Sequence, residues 1–143
     1  NKQALETRAR FEQAVAMLHA RQFEHAAAAL HRVLELAPRL PEAHVNMGFA
    51  LIGMARYGAA RDFFNSAIAL RKEQINAYYG LAVALDALHD RPGATGAMRT
   101  FVHLSTPDNP YVRKAQAAEP VLAELPPAPP VEAPQAEATA GNP

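Results

Sequence analysis

The chain repeats a pattern of small and apolar residues with a period of 34 positions. Three consecutive windows of this length begin at Thr7, Pro41 and Ile75. Agreement of several columns over two full periods indicates an array of structural repeats, in which each unit buries its apolar face against its neighbour. The columns in register are Ala14, Gly48 and Ala82; Met17, Leu51 and Leu85; Ala26, Ala60 and Ala94; Leu30, Phe64 and Met98; and Leu36, Leu70 and Leu104.

Each window is interrupted near its middle. The interruptions fall at Arg21-Gln22, at Ala55-Arg56 and at residues 89–93, and the apolar residues on both sides follow helical spacing. Every window therefore predicts two helices joined by a turn, and the small residues fall where the two antiparallel helices would pass closely. In the third window, Pro92-Gly93 predicts a longer or reshaped turn.

The middle window carries a recognisable set of residues, namely Met47, Gly48, Leu51, Tyr57, Ala60, Phe64 and Ala67. These columns resemble the tetratricopeptide-repeat (TPR) family, and the resemblance covers about residues 7–108. It implies an all-α fold, a right-handed α-solenoid of three helix-turn-helix units at about 7–40, 41–74 and 75–108. In the third unit Phe101 replaces a small residue, which leaves the packing of the last helix pair open.

The sequence after the third unit changes character twice. Residues 108–110, Asp-Asn-Pro, predict the start of a seventh helix at about 110–124, since Asp or Asn can cap a helix and proline suits its first turn. This helix would cover the apolar end of the solenoid and complete a domain over 1–124. Residues 125–143 hold six of the 12 prolines, which favours an extended tail or linker. A groove of this molecule or of a neighbouring one could hold that tail.

Side chains that could catalyse a reaction or hold a metal are not grouped in the sequence. Cysteine is absent, and no two of the six histidines have the i,i+3 or i,i+4 spacing that places two ligands on one helix face. Neither Ser66 nor Ser105 has the context of an activated nucleophile, and no phosphate-binding loop with a lysine is present. We therefore expect no enzyme, cofactor or metal. The 14 basic and 14 acidic residues balance, which argues against nucleic acid as a partner.

The resemblance also implies a binding surface, because the first helix of each TPR unit lines a concave groove in that family. The matching residues are mostly apolar and lie opposite the packed small residues, so they are expected to be surplus to the core and to mark an interaction site. Some family members clamp the C-terminal carboxylate of a heat-shock chaperone. Asn46 matches one clamp position, but Phe11 and Val15 occupy two others, so chaperone clamping is not expected. The predicted groove consists of Phe11, Val15, Leu18, Val45, Phe49, Ile52, Tyr79, Val83 and Asp86.

Two functions remain open at this point. The first is a scaffold or adaptor that binds an amphipathic helix or extended segment of a partner protein within a multi-protein assembly. The second is homo-oligomerisation through the repeats or the tail. The 11 arginines against three lysines are typical of a GC-rich bacterial genome, and similar bacterial proteins serve in cell-envelope assemblies. No apolar run is long enough to insert into a membrane. A cytoplasmic and a periplasmic or membrane-tethered location both remain open, with any anchor outside this sequence.

Overall fold

A computed structural model describes residues 1–117 and 130–134, and within these ranges the regular secondary structure is entirely helical. The predicted all-α fold of three helix-turn-helix units followed by a further helix is confirmed. None of the described helices combines the length and the apolar character needed to cross a membrane. The helices are α1 (Lys2–His19), α2 (Phe23–Leu36), α3 (Pro41–Gly53), α4 (Tyr57–Leu70), α5 (Ile75–Ala87), α6 (Arg91–Leu104) and α7 (Pro110–Ala117).

The helices are arranged in two layers. Each helix packs against the next one in sequence, and α3 also contacts both α1 and α5. The first helices of the three units therefore form one layer, while α2, α4 and α6 form the other. This arrangement places the matching faces of α1, α3 and α5 side by side, which is the condition for a continuous groove.

The same turn joins the two helices of every unit. Arg21, Ala55 and His89 have positive φ angles of 59°, 57° and 66°. In the second unit the Ala55 N–H donates to the Ile52 carbonyl at 2.9 Å and the next N–H donates to the Leu51 carbonyl at 2.8 Å. This is the Schellman arrangement, in which a residue in the left-handed region ends the helix and satisfies its last carbonyl groups.

The prediction of a longer or reshaped third turn is wrong. Asp90 caps α6 by accepting the Gly93 N–H at 3.0 Å, so Pro92 and Gly93 lie in the first helical turn. The reason is physical: proline needs no hydrogen-bond acceptor for its nitrogen near a helix start, where that acceptor is missing anyway. His89 occupies the same place in the turn as Ala55 does in the second unit.

The core between the second and third units is built around Phe64, whose side chain is completely buried. A Cβ atom added at Gly48 of α3 would lie 2.5 Å from the Phe64 ring, and one added at Gly80 of α5 would lie 2.2 Å from it. The ring is therefore held between two glycine backbones. The predicted close passage at Gly48 is confirmed, because no side chain fits there.

The C-terminal helix begins as the sequence predicts, with the Asn109 side chain accepting the Tyr111 N–H at 2.9 Å. Val112 is buried against the cluster that contains Phe101, so α7 covers the end of the third unit. Residues 118–124 of the predicted capping helix lie outside the described residues, as does the predicted tail except for 130–134. The domain boundary at 124/125 stays a prediction.

Candidate functional site

The nine predicted groove residues lie on the first helices of the three units, three on each of α1, α3 and α5. Five of them are buried: Phe11, Val15, Leu18, Val45 and Tyr79. Phe49, Ile52, Val83 and Asp86 are partly exposed. The expectation that these residues are surplus to the core is wrong for Leu18 and Tyr79, which pack with α2 and with α6 and α7 respectively. Phe11, Val15 and Val45 belong to a cluster against which Val131 and Ala133 also pack, so the burial of these three residues includes the contribution of residues 130–134.

The structure places five of the nine residues, all on α1 and α3, in or against one apolar cluster that also includes residues of α2, α4 and α5. Phe11, Val15 and Val45 lie inside this cluster, and Phe49 and Ile52 pack against it. Tyr79 and Val83 belong to a separate cluster in the third unit, and Leu18 belongs to a third one. We call the surface of α1 and α3 over Phe11, Val15, Val45, Phe49 and Ile52 the inner groove.

Residues 130–134, with the sequence Pro-Val-Glu-Ala-Pro, lie on the inner groove. Val131 and Ala133 are partly buried and pack against its apolar cluster, while Glu132 and Pro134 are exposed. Side chains that alternate between a buried and an exposed face indicate an extended backbone. The prediction that a groove of this molecule could hold the tail is met for these five residues.

Asn46 of α3 holds this segment by its backbone. The Asn46 Nδ2 donates to the Val131 carbonyl at 2.8 Å, and the Val131 N–H donates to the Asn46 Oδ1 at 2.8 Å. Asn46 has no accessible surface, so each of these bonds also satisfies a buried polar atom. One carboxamide has a donor and an acceptor side by side, which matches the N–H and C=O of a single residue in an extended chain.

Arg8 of α1 provides the second contact. Its Nη1 donates to the Pro134 carbonyl at 3.1 Å, and its Nε pairs with the Glu12 carboxylate at 3.0 Å. Glu12 thus orients the guanidinium, which reaches the segment three residues beyond the Asn46 contact. Both α1 and α3 therefore bind the backbone of the segment.

The third unit presents a different surface. The Tyr79 ring packs edge-on against Phe101 and Tyr111, with centroid distances of 5.2 and 5.6 Å. Burial raises the pKa of the Tyr79 phenol well above its usual range, with a smaller effect from Tyr111. Asp86 accepts a hydrogen bond from Arg91 at 3.3 Å. Tyr79 and Asp86 thus contact α6 and α7 and lie apart from the cluster of the inner groove.

The sequence predicted that a groove could hold the tail, but it did not identify residues 131–133 as the part that docks or Arg8 as a residue that binds it. A signal for Arg8 existed, because it lies three residues before Phe11 and seven before Val15, on the same face of α1. The segment carries no comparable signal. Within the described ranges, no three His, Asp or Glu side chains come together in a way that could hold a metal ion.

Comparisons with known proteins bear on the fold. No family model matches the chain, and no curated protein matches it by sequence. Solved structures do match, among them the TPR domain of Arabidopsis OM64, with 17% identity, a TM-score of 0.76, and coverage of 82% of this chain and 97% of that one. The chain has the tetratricopeptide-repeat fold.

Two further TPR structures contain bound peptides. The TPR2B domain of yeast Sti1, in complex with an Hsp70 peptide, matches with 17% identity and a TM-score of 0.73, over 87% of this chain and 98% of that one. The Yersinia enterocolitica chaperone SycD, in complex with a peptide of the translocator YopD, matches with 12% identity and a TM-score of 0.69, over 81% of this chain and 88% of that one. The fold of this TPR chain is thus also that of domains solved with short peptides.

Proposed function

We propose that this TPR chain is a non-catalytic adaptor that binds an extended segment of a partner protein in the inner groove. The observation that carries the proposal is the pair of hydrogen bonds between Asn46 and both backbone groups of Val131. This contact is the chemistry that a peptide-binding groove needs. The peptide complexes of the structural neighbours support the same function.

The Asn46 contact favours an extended ligand over the amphipathic helix that the sequence left open. In a helix the backbone N–H and C=O groups bond within the helix and are not available as a pair to one external carboxamide. In an extended chain both groups of one residue are free to bond sideways. The alternating packing of Val131 and Ala133 fits the same geometry, with every second side chain directed at the apolar cluster.

The inner groove favours an internal segment of the partner over a chain terminus. Phe11 and Val15 are buried apolar residues at the positions where chaperone-binding relatives carry clamp residues. Asn46 binds the N–H and the carbonyl of an internal residue, and Arg8 binds a carbonyl oxygen. We further propose that the partner belongs to a multi-protein assembly in a bacterial cell envelope, because the excess of arginine over lysine is typical of a GC-rich bacterial genome.

A displayed library of random 12-residue peptides tests the proposal. The bait is the full chain carrying Val131→Glu and Ala133→Glu, which places two charges against the apolar cluster and opens the inner groove. Asn46→Leu in this bait removes two hydrogen bonds to the ligand, each worth about 1 kcal/mol, so the selected peptides should bind about 30-fold more weakly.

Asn65→Leu is the matched control, because Asn65 is exposed on α4, in the other helix layer. This variant should bind the selected peptides with unchanged affinity. Selected peptides that bind the Asn46→Leu bait as tightly as the parent bait would show that the inner groove is not the binding site.

A further inference from the structure

Three features of residues 130–134 indicate what kind of ligand the inner groove binds. The segment belongs to this chain, it contacts the inner groove through its backbone, and it is bounded by Pro130 and Pro134. Building on the proposed function, we infer that this segment is a resident ligand, so that a partner binds only by displacing it. We also infer that the partner shares its chemistry: an internal, proline-flanked stretch with small apolar side chains at alternate positions.

The flanking prolines suit this role. Proline fixes φ near the value of an extended polyproline II chain, so a proline-flanked segment loses little conformational freedom when it docks. Proline also lacks a backbone N–H, and the groove needs none at the proline positions. It binds both backbone groups of Val131 and the carbonyl of Pro134. A ligand with ordinary residues at the proline positions would make these bonds but lose more entropy on binding.

Side-chain selectivity comes from the two inward positions. Val131 and Ala133 pack against the apolar cluster, whereas Glu132 between them is exposed. The groove therefore contacts two side chains that are separated by one residue, and it does not select the type of the residue between them. Val131 needs an apolar surface, and Ala133 shows that a small side chain is accommodated at the second position.

The covalent connection makes the segment a strong competitor. Twelve residues, 118–129, join the last described residue of α7 to Pro130. A connection of this length gives an effective concentration on the order of 1 mM. A segment with an intrinsic Kd of about 100 μM would then be docked about 90% of the time, and it would weaken an external peptide of the same site about tenfold.

The test uses a fluorescent synthetic peptide, PAPPVEAPQAE, which has the sequence of residues 127–137. Its affinity is measured by anisotropy against the full wild-type chain and against the full chain with Val131→Glu and Ala133→Glu. The substituted chain should bind the probe about tenfold more tightly, because its own segment no longer competes. Equal affinity for both chains would overturn the inference.

Two variants serve as controls. Glu132→Gln changes the exposed residue of the segment and should leave the probe affinity at the wild-type value. Asn46→Leu in the substituted chain should abolish the gain, since it removes the backbone contact that the probe would use. A gain that survives Asn46→Leu would mean that the probe binds elsewhere, and the inference would fail.

Failure of the inference and failure of the proposed function give different results. If the substituted chain does not bind the probe but binds library peptides through Asn46, the proposed function holds and the inference of a resident ligand is wrong. A substituted chain that binds neither overturns both. Light scattering adds a further outcome: if the wild-type chain is a dimer and the substituted chain a monomer, the segment docks on a second copy, and the intramolecular inference is wrong.

Discussion

Two glycine-to-alanine substitutions in helix interiors should differ in their effect on stability, and the difference depends on what the new methyl group meets. At Gly96 of α6, an added Cβ meets nothing within 4 Å. At Gly80 of α5, it would lie 2.2 Å from Cζ of the buried Phe64 ring. The same chemical change therefore adds a methyl group to open space in one case and against a completely buried ring in the other.

The magnitudes follow from two terms. Alanine is favoured over glycine within a helix by about 1 kcal/mol, and this term applies at both sites. At Gly80 the ring must move by about 1 Å to reach ordinary van der Waals contact with the new methyl group, but it also packs so closely on Gly48 that a Cβ there would lie 2.5 Å from it. Overpacking of this kind costs about 1–3 kcal/mol. We expect Gly96→Ala to stabilise the chain by about 1 kcal/mol and Gly80→Ala to be less stable than Gly96→Ala by about 1–3 kcal/mol.

Urea unfolding of the full chain, followed by far-ultraviolet circular dichroism, measures both effects. A change of midpoint without a change of slope would assign the difference to stability. The double variant Gly80→Ala with Phe64→Leu provides a control, since the smaller side chain makes room for the methyl group and the two effects should not add. Equal free energies of unfolding for Gly80→Ala and Gly96→Ala would refute the argument that Phe64 is confined by glycine.

Further predictions concern one turn and two titrating groups. Ala55→Gly should stabilise the chain by about 0.5 kcal/mol in urea unfolding, because relief of the left-handed conformation exceeds the added chain entropy. The same change at exposed Ala28, in mid-helix, should destabilise by about 1 kcal/mol. The hydrogen bond from Arg32 holds the pKa of Glu6 below its ordinary value of 4.5, so this contribution to stability is lost as the pH falls through the lowered pKa. In Arg32→Gln, an NMR titration should show the Glu6 pKa returning towards 4.5. Because burial raises the pKa of Tyr79, stability should fall as the pH rises above the phenol's ordinary 10.0. Tyr79→Phe should flatten that part of a urea-midpoint profile, and an unchanged profile would contradict the burial argument.

The 34-residue repeat was sufficient to predict the fold, because every helix pair buries its apolar face with residues at the same spacing. The columns of Gly48 and Phe64 recur with the period, and the contact between these two residues joins positions that are close in the sequence. Pro92-Gly93 was misjudged because proline and glycine are signals both of turns and of helix starts. Only the Asp90 cap, a local hydrogen bond, distinguishes the two cases.

The site was less accessible to sequence reasoning. The periodicity identified which helix faces are shared, but not how deeply Phe11 or Tyr79 would be buried by their neighbours. The contact between Asn46 and Val131 joins positions 85 residues apart, and no periodic pattern connects them. Asn46 was singled out only because it matches a clamp position of the family. Arg8 shares a helix face with Phe11 and Val15, but its role depends on the Pro134 carbonyl that it binds, which the sequence does not place.

The two backbone contacts also fix the direction in which a ligand runs. Val131 is bound by α3 of the second unit and Pro134 by α1 of the first, so the segment runs antiparallel to the order of the repeats. A longer partner in this polarity would extend its N-terminal side towards the third unit, over Val83, and its C-terminal side past α1. Additional specificity can therefore be gained from residues that precede the docked stretch in a partner, since the solenoid continues beyond the N-terminal end of the docked segment.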